Sequence, residues 1–230
     1  MLFLFVFSCL SAQETITLNT KDDGFRGIWY FIGKTNNEYV HKYSGGLGTY
    51  PANHYPFSIY SSKAKKTFFC YGGASKDTKP SLLHEVAYFD HNTETVSRPT
   101  IVLDKKTDDA HDNPVISIDN EGFIWLFSTS HGVNRLSYIH KSVKPFDIEK
   151  FELVRPTYLK DGLTKPFDIF SYLQIYYDEE NGFFGFMTHY DAGVLKYSES
   201  KPRRTSSYIT SKDGVSWSEL HDIGQIQEGH

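Results

Sequence analysis

This sequence predicts an all-β protein built as a β-propeller of four-stranded blades. Three observations carry that expectation. No long stretch places apolar residues at helical spacing; short apolar runs alternate instead with turns of Gly, Asn, Asp and Ser. Aromatic residues reach 16%, with 16 Tyr and 18 Phe, and such rings pack well on a pleated surface. A repeat emerges when His54–Tyr60, Asp112–Ile118 and Ser171–Tyr177 are aligned: Pro56 and Pro114 stand 58 residues apart, and Leu173 follows 59 later.

Along the chain, the first feature is the apolar run Leu2–Leu10, ending in Ser11, Ala12 and Gln13. A membrane span needs about 20 apolar residues, so this run reads as the hydrophobic part of a signal peptide cleaved after Ala12. Residues 1–12 are thus expected to be removed and 13–230 to form the propeller, in a secreted or periplasmic setting. No Lys or Arg precedes the run, which suggests a start further upstream, and Val6–Cys9 matches a lipoprotein signal poorly. With the leader gone Cys70 is the only cysteine, so no intramolecular disulfide is expected.

Each repeated stretch leads into a polar turn, Ser61–Lys66, Asp119–Gly122 and Asp178–Gly182, and then into a second strand, Thr67–Tyr71, Phe123–Thr129 and Phe183–Thr188. Further strands follow at Glu85–Asp90 and Pro99–Asp104, and at Arg135–His140 and Phe151–Val154. Four strands in roughly 45–60 residues is the pattern of a propeller blade. At that period the chain holds about four blades, an incomplete ring, and Gln227–His230 carries no terminating signal, so a longer protein is expected. Ser211–Trp217 resembles a shortened Asp-box, a hairpin turn of sialidase-type propellers in which the Asp caps backbone amides and the Trp packs between sheets. Ser117–Trp125 is a looser relative. Both are structural markers.

The start of a hairpin's first strand lies beside the end of its second, so these positions from successive repeats gather on one rim. They are Asn53 and His54, then His111, Asp112, Asn113 and His131, then Tyr172, Gln174, His189 and Tyr190. Four of the ten histidines fall there, which points to a binding or catalytic site. Other signals carry less. Asp22–Asp23, Asp108–Asp109 and Asp178–Glu180 could be paired glycosidase carboxylates, but the last lies in a turn at the far end of its blade. Arg26, Arg98 and Arg135 do not occupy equivalent repeat positions, unlike a sialidase arginine triad. Ser44–Gly46 and Tyr71–Gly73 lack the strand–loop–helix context of a phosphate loop. The histidines fit no compact metal motif, but ligands gathered from several blades need none; no cofactor is expected to be required, and a structural Ca²⁺ or Zn²⁺ is compatible. A net charge of −4 gives no footprint for nucleic acid.

A resemblance adds to this reading. Phe25–Tyr30 (Phe-Arg-Gly-Ile-Trp-Tyr), Lys42–Gly46, Tyr50–His54, His111–Pro114 and Ser128–Gly132 look like the BNR-repeat family of polysaccharide-degrading bacteria, from about Gly24 to His230. That family is similar to the seven-bladed ulvan lyases, which use two histidines, a tyrosine and an arginine in a groove on one face. The resemblance implies that His111 and His131 are the two histidines and Tyr172 the tyrosine. The arginine position falls in Thr188–Tyr190, where this chain has His189; a protonated His189, Arg203 or Arg204 would then face the substrate's carboxylate. It also implies an acidic polysaccharide as partner and β-elimination at a 4-linked uronate. Such chemistry needs a group facing the carboxylate, a base at C5 and an acid for the departing oxygen. His111 and Tyr172, the latter's pKa lowered by nearby positive charge, are expected to move protons, with His131 orienting or donating. Asn53, His54, Asn113, Gln174, His189 and Tyr190 would hold the sugar. The alternatives are a glycan-binding propeller of an uptake system and a glycoside hydrolase.

Overall fold

The structure, a computed structural model, describes residues 16–25, 32–34, 41–43, 49–50, 52–77, 79, 81–195 and 202–226. The leader at 1–12, most of Phe25–Tyr30, Gly45 and Gly46, and Gln227–His230 lie outside them. The described residues form strands and no helix. Three larger sheets account for most of the chain. The first has six strands, in the order Thr17–Lys21, Thr100–Asp104, Leu82–Asp90, Lys66–Ala74, Ser58–Ser61, with Thr95–Val96 paired to Leu82–Asp90. The second has the four strands of the expected unit: Phe151–Val154, Tyr138–Ser142, Ile124–Ser128 and Pro114–Ile118.

The third sheet has seven strands. Leu163–Pro166, Thr157–Lys160, Ser216–Glu219, Pro202–Ser211, Gly182–Leu195 and Ser171–Asp178 lie in that order, and His221–Ile226 pairs with Pro202–Ser211. Pairing is antiparallel except between Thr157–Lys160 and Ser216–Glu219, and a small separate ribbon joins Ile32–Lys34 to His41–Tyr43. Hence the expected count of four strands holds for the second sheet, whereas the first and third take in additional edge strands.

The second sheet shows why the chain folds this way. Strand side chains alternate between faces, yet Val115, Ile116, Ile124, Trp125, Leu126 and Phe127 are all buried. Val115, Trp125 and Phe127 meet Leu173, Ile175, Phe183, Met187 and Ile209 of the third sheet. Ile116, Ile124 and Leu126 point the other way, onto Phe68, Cys70, Val86 and Val102 of the first. A sheet covered on both sides needs a continuous apolar run rather than alternation, and these strands supply it. The three sheets therefore stack face to face in chain order.

The turns within Ser211–Trp217 and Ser117–Trp125 pin that stack. Asp213 Oδ1 accepts the amides of Val215 (2.8 Å) and Ser216 (2.7 Å), and Trp217 sits in the core between the second and third sheets. Asp119 caps the Phe123 amide at 2.8 Å and takes the Trp125 indole N–H at 2.9 Å. Gly214, at φ 72°, lies under Trp125 so closely that a Cβ would fall 2.7 Å from the ring. Asp178 accepts the amides of Glu180 and Asn181 in an exposed turn, as a solvated hairpin end does.

Candidate functional site

The openings of the three repeats meet, as the repeat predicts. His54–Phe57 is not a regular strand; it is threaded between its neighbours. The Tyr55 amide donates to the Leu173 carbonyl (3.1 Å), the Ile175 amide to the Tyr55 carbonyl (2.8 Å) and the Ile116 amide to the Pro56 carbonyl (3.0 Å). The second sheet's closing end is tied to the third sheet's opening by Ser130 N–H to the Phe170 carbonyl (3.0 Å) and by Ser171 Oγ to the Ser130 carbonyl. Loops on either side are thereby drawn to one place.

His111 and His131 stack there with ring centroids 4.4 Å apart and 22° between planes. Tyr172 stands edge-on to both rings, 5.9 Å from each, and Tyr50 packs on His111 at 4.4 Å. Each group is held by its own element. The His111 amide donates to Asp109 Oδ1 (3.0 Å) in the turn before Pro114–Ile118, and the His131 amide donates to Asp112 Oδ1 (2.8 Å). Tyr172 has φ 50°, in the left-handed region that a bulky residue rarely adopts, where the pairing of Ser171–Asp178 with Gly182–Leu195 slips between Ser171 and Gln174. Such irregularities re-aim a side chain, and here the ring turns to the histidines.

The electrostatics centre on Asp109. Its Oδ1 accepts His111 Nδ1–H at 2.7 Å, and its Oδ2 accepts His131 Nδ1–H at 3.2 Å and Arg135 Nη2 at 2.7 Å. Arg135 also clamps Asp112, through Nε at 2.8 Å and Nη2 at 3.0 Å. Behind it lies Lys105, its ammonium 3.7 Å from Asp112 and donating to the Leu136 carbonyl. Burial opposes ionisation of Asp109, but the bonds from His111 and His131 prevail and hold its carboxyl well below the usual range. Burial brings Lys105 down to about 8, against the pull of Asp112.

Burial, reinforced by Tyr190 and Tyr50, pushes the Tyr172 phenol above its ordinary value, with Arg204 acting in the other direction. The expectation of a lowered phenol is thus reversed: the ring is 6% exposed, and desolvation outweighs the nearby cation. The phenol is therefore held in its protonated form. The ligand atoms of Asp109, His111 and His131 lie within 4.8 Å of one another, a set able to hold a divalent cation, although Arg135 already takes a lone pair of the carboxylate.

The remaining candidates divide. Tyr190 joins the cluster, its ring 6.3 Å from His131. His54 packs on Tyr172 at 5.4 Å but is buried, donating Nδ1–H to the Ala52 carbonyl (2.9 Å), and burial lowers its pKa to about 4. Asn113 is buried too, and donates Nδ2–H to the Tyr50 carbonyl. Both build the site's floor and offer no surface to a sugar. Asn53 is exposed, at φ 60°, and Gln174 is half-buried beside Tyr55. His189 is not brought to the cluster. Neighbouring strand residues face opposite ways, and His189 lines a separate cavity with Tyr158, Lys160, Asp161, Glu219 and Asp222. Arg204 lies directly across from Tyr190 in the strand register, and cross-strand partners share a face. Its charge acts on the hydroxyls of both Tyr190 and Tyr172. Arg203 pairs with Asp191 one position further along. Sequence reasoning passed over Tyr50, Arg135 and the orienting place of Asp109; the short spacing Asp-x-His at 109–111 was the available signal for the last.

Residues 76–226 match the sequence model of a family described as BNR repeat-containing family member. No curated protein matches the chain. Solved structures similar to it include an ulvan lyase described as a new family of polysaccharide lyase, PL25, and the same lyase bound to -[GlcA(1-4)Rha3S]-. Each is 20% identical, with a TM-score of 0.57, over 77% of this chain and 40% of the lyase. At that identity the likeness is one of fold, and the chain spans less than half the length of these structures.

Proposed function

The chain belongs to the BNR repeat-containing family, and from that footing we propose that it is a carbohydrate-active protein that cleaves a uronic-acid-containing polysaccharide by β-elimination. The observation that carries this reading is the packing of two imidazoles and a buried phenol into one cluster, with Arg204 across the strand from Tyr190. The assignment follows from the chemistry of each group. With Nδ1–H of His111 donated to Asp109, its basic lone pair is on Nε2, and it takes the proton from C5. The electron pair forms the C4–C5 double bond, the C4–O bond breaks, and the leaving oxygen takes the Tyr172 proton. Arg204 faces the carboxylate and stabilises the charge that develops on it, in place of His189. His131 orients the sugar beside His111.

A hydrolase fits less well, because a glycosidase acid needs a raised carboxyl pKa and Asp109 is driven the other way. We read the three stacked sheets as blades of a propeller whose inner strands, Ser58–Ser61, Pro114–Ile118 and Ser171–Asp178, adjoin one another. The outer face of the third sheet supports this reading: Tyr55, Tyr176 and Phe184 are exposed and in ring contact, as a face awaiting a further sheet would be. Export, by way of the leader, belongs to the same proposal. The test is to incubate the protein with a polymer of 4-linked glucuronate and sulfated rhamnose and follow ultraviolet absorbance. A rising band from unsaturated uronate is expected. Binding with no new band would leave a glycan-binding protein, and cleavage without the band a hydrolase.

A further inference from the structure

We infer that Asp109 is the positioning residue of this site, fixing the tautomer of both histidines at once. The inference rests on the elimination reading for its kinetic consequences, but its physical content stands on the geometry alone. A carboxylate has no proton to donate while ionised, and Asp109 Oδ2 lies 2.7 Å from the Arg135 guanidinium, a fixed cation that pairs with the ionised form. Each imidazole nitrogen facing it must therefore be the N–H. His111 Nδ1 lies 2.7 Å from one oxygen and His131 Nδ1 3.2 Å from the other. In both neutral rings the lone pair is consequently on Nε2. The rings are stacked 4.4 Å apart with 22° between their planes, so the two imidazoles lie side by side with Asp109 at the Nδ1 of each.

Asp109 is itself anchored. Its turn is closed by the Asp112 amide donating to its backbone carbonyl at 3.1 Å, and its own amide reaches Thr107 Oγ1 at 3.1 Å. Arg135 bridges it to Asp112, whose carboxylate is fully buried against Lys105. A chain of alternating charges thus runs from the interior, Lys105 to Asp112 to Arg135 to Asp109, and ends on the two imidazoles. An acidic side chain two residues from a histidine is a common local turn; one that also receives a second histidine, 20 residues further along the chain from the first, is an orienting device.

The experiment uses the whole chain with ¹⁵N-labelled histidine. The His111→Gln and His131→Gln spectra assign the two rings, and the ¹⁵N shifts of the neutral wild-type rings report which nitrogen carries the proton. Nδ1–H is expected for both. Asp109→Asn offers one oxygen and one NH₂, so at least one ring should change tautomer. On a uronate polymer, kcat should fall about 10²–10⁴-fold, as when the orienting carboxylate of a catalytic histidine is made an amide, with KM within about threefold. Asp108→Asn, in the same turn but turned outward, should alter neither reading. Nε2–H on both wild-type rings overturns the inference, as does an Asp109→Asn protein with unchanged tautomers. The wild-type spectrum is decisive even if the variant does not fold. If the wild-type protein yields no unsaturated product, the elimination reading fails while the tautomer result still decides the role of Asp109.

Discussion

Replacing Tyr172 by Phe removes the proposed acid and almost nothing else. The ring is buried, 6% exposed, among Tyr50, Ala110 and His54, and Phe keeps its shape, so those contacts persist. The backbone at φ 50° is equally unfavourable for Phe and Tyr, so that cost cancels between the two proteins. Loss of one buried hydroxyl should shift stability by no more than about 1 kcal/mol. The catalytic loss is larger. A positioned general acid contributes about 10²–10⁴-fold, and at about 1.4 kcal/mol per decade its removal raises the barrier by about 3–5 kcal/mol. The assay is the ultraviolet band of the unsaturated uronate at saturating polymer, beside a urea unfolding curve of each protein. Because burial raises the Tyr172 phenol, it stays protonated through alkaline pH, and any alkaline fall in wild-type activity must come from another group. A variant that keeps its rate within about threefold refutes the role of Tyr172 as acid. So does one whose loss of rate merely tracks a loss of folding.

Four further outcomes follow. Arg204→Met, which keeps reach and removes charge, should lower kcat about 10²–10³-fold, whereas His189→Ala should change it less than about threefold because His189 faces another cavity; the same assay ranks the two. His54 and His140 are buried, and burial lowers each from 6.5 to about 4. The unfolded chain therefore binds more protons between those values, so stability is full above pH 6.5 and is lost as pH falls towards 4, by about 3 kcal/mol per residue. Urea midpoints at pH 7 and pH 5 measure this, and His140→Asn should flatten the dependence. Phe127→Ala, in the core between the second and third sheets, should cost about 3–5 kcal/mol in the same unfolding assay. Activity should survive EDTA, since Arg135 already holds the Asp109 oxygen that a cation would need; loss restored by Zn²⁺ would assign the cluster to a metal instead.

What could be read from the sequence was whatever depends on period and spacing. The unbroken apolar runs at Val115–Ile116 and Ile124–Phe127 announce strands covered on both faces, and the 58-residue repeat brings His111, His131 and Tyr172 to one end of their sheets. What could not be read depends on register. A one-residue slip sends a side chain to the other face, and the pairing is irregular near Tyr172 and again between Asp191 and Leu195. Hence Tyr190 and Arg204 turn towards the histidines while His189, adjacent in sequence, turns away. Burial was equally hidden: it makes His54 and Asn113 supports of the site instead of sugar ligands, and raises the Tyr172 phenol that a simple count of nearby cations would lower. Arg135 stands outside the repeat because it answers to Asp109 and Asp112 in one loop pair, not to a position common to all sheets.

If His111, His131, Tyr172 and Arg204 form one elimination site, the mass of the products reveals it. Wild-type protein acting on a uronate polymer should release oligosaccharides lighter by one water than the products of hydrolysis, and His111→Gln protein should release none. Products carrying the added water would mean hydrolysis, and unsaturated products made equally well by His111→Gln would mean that His111 is not the base.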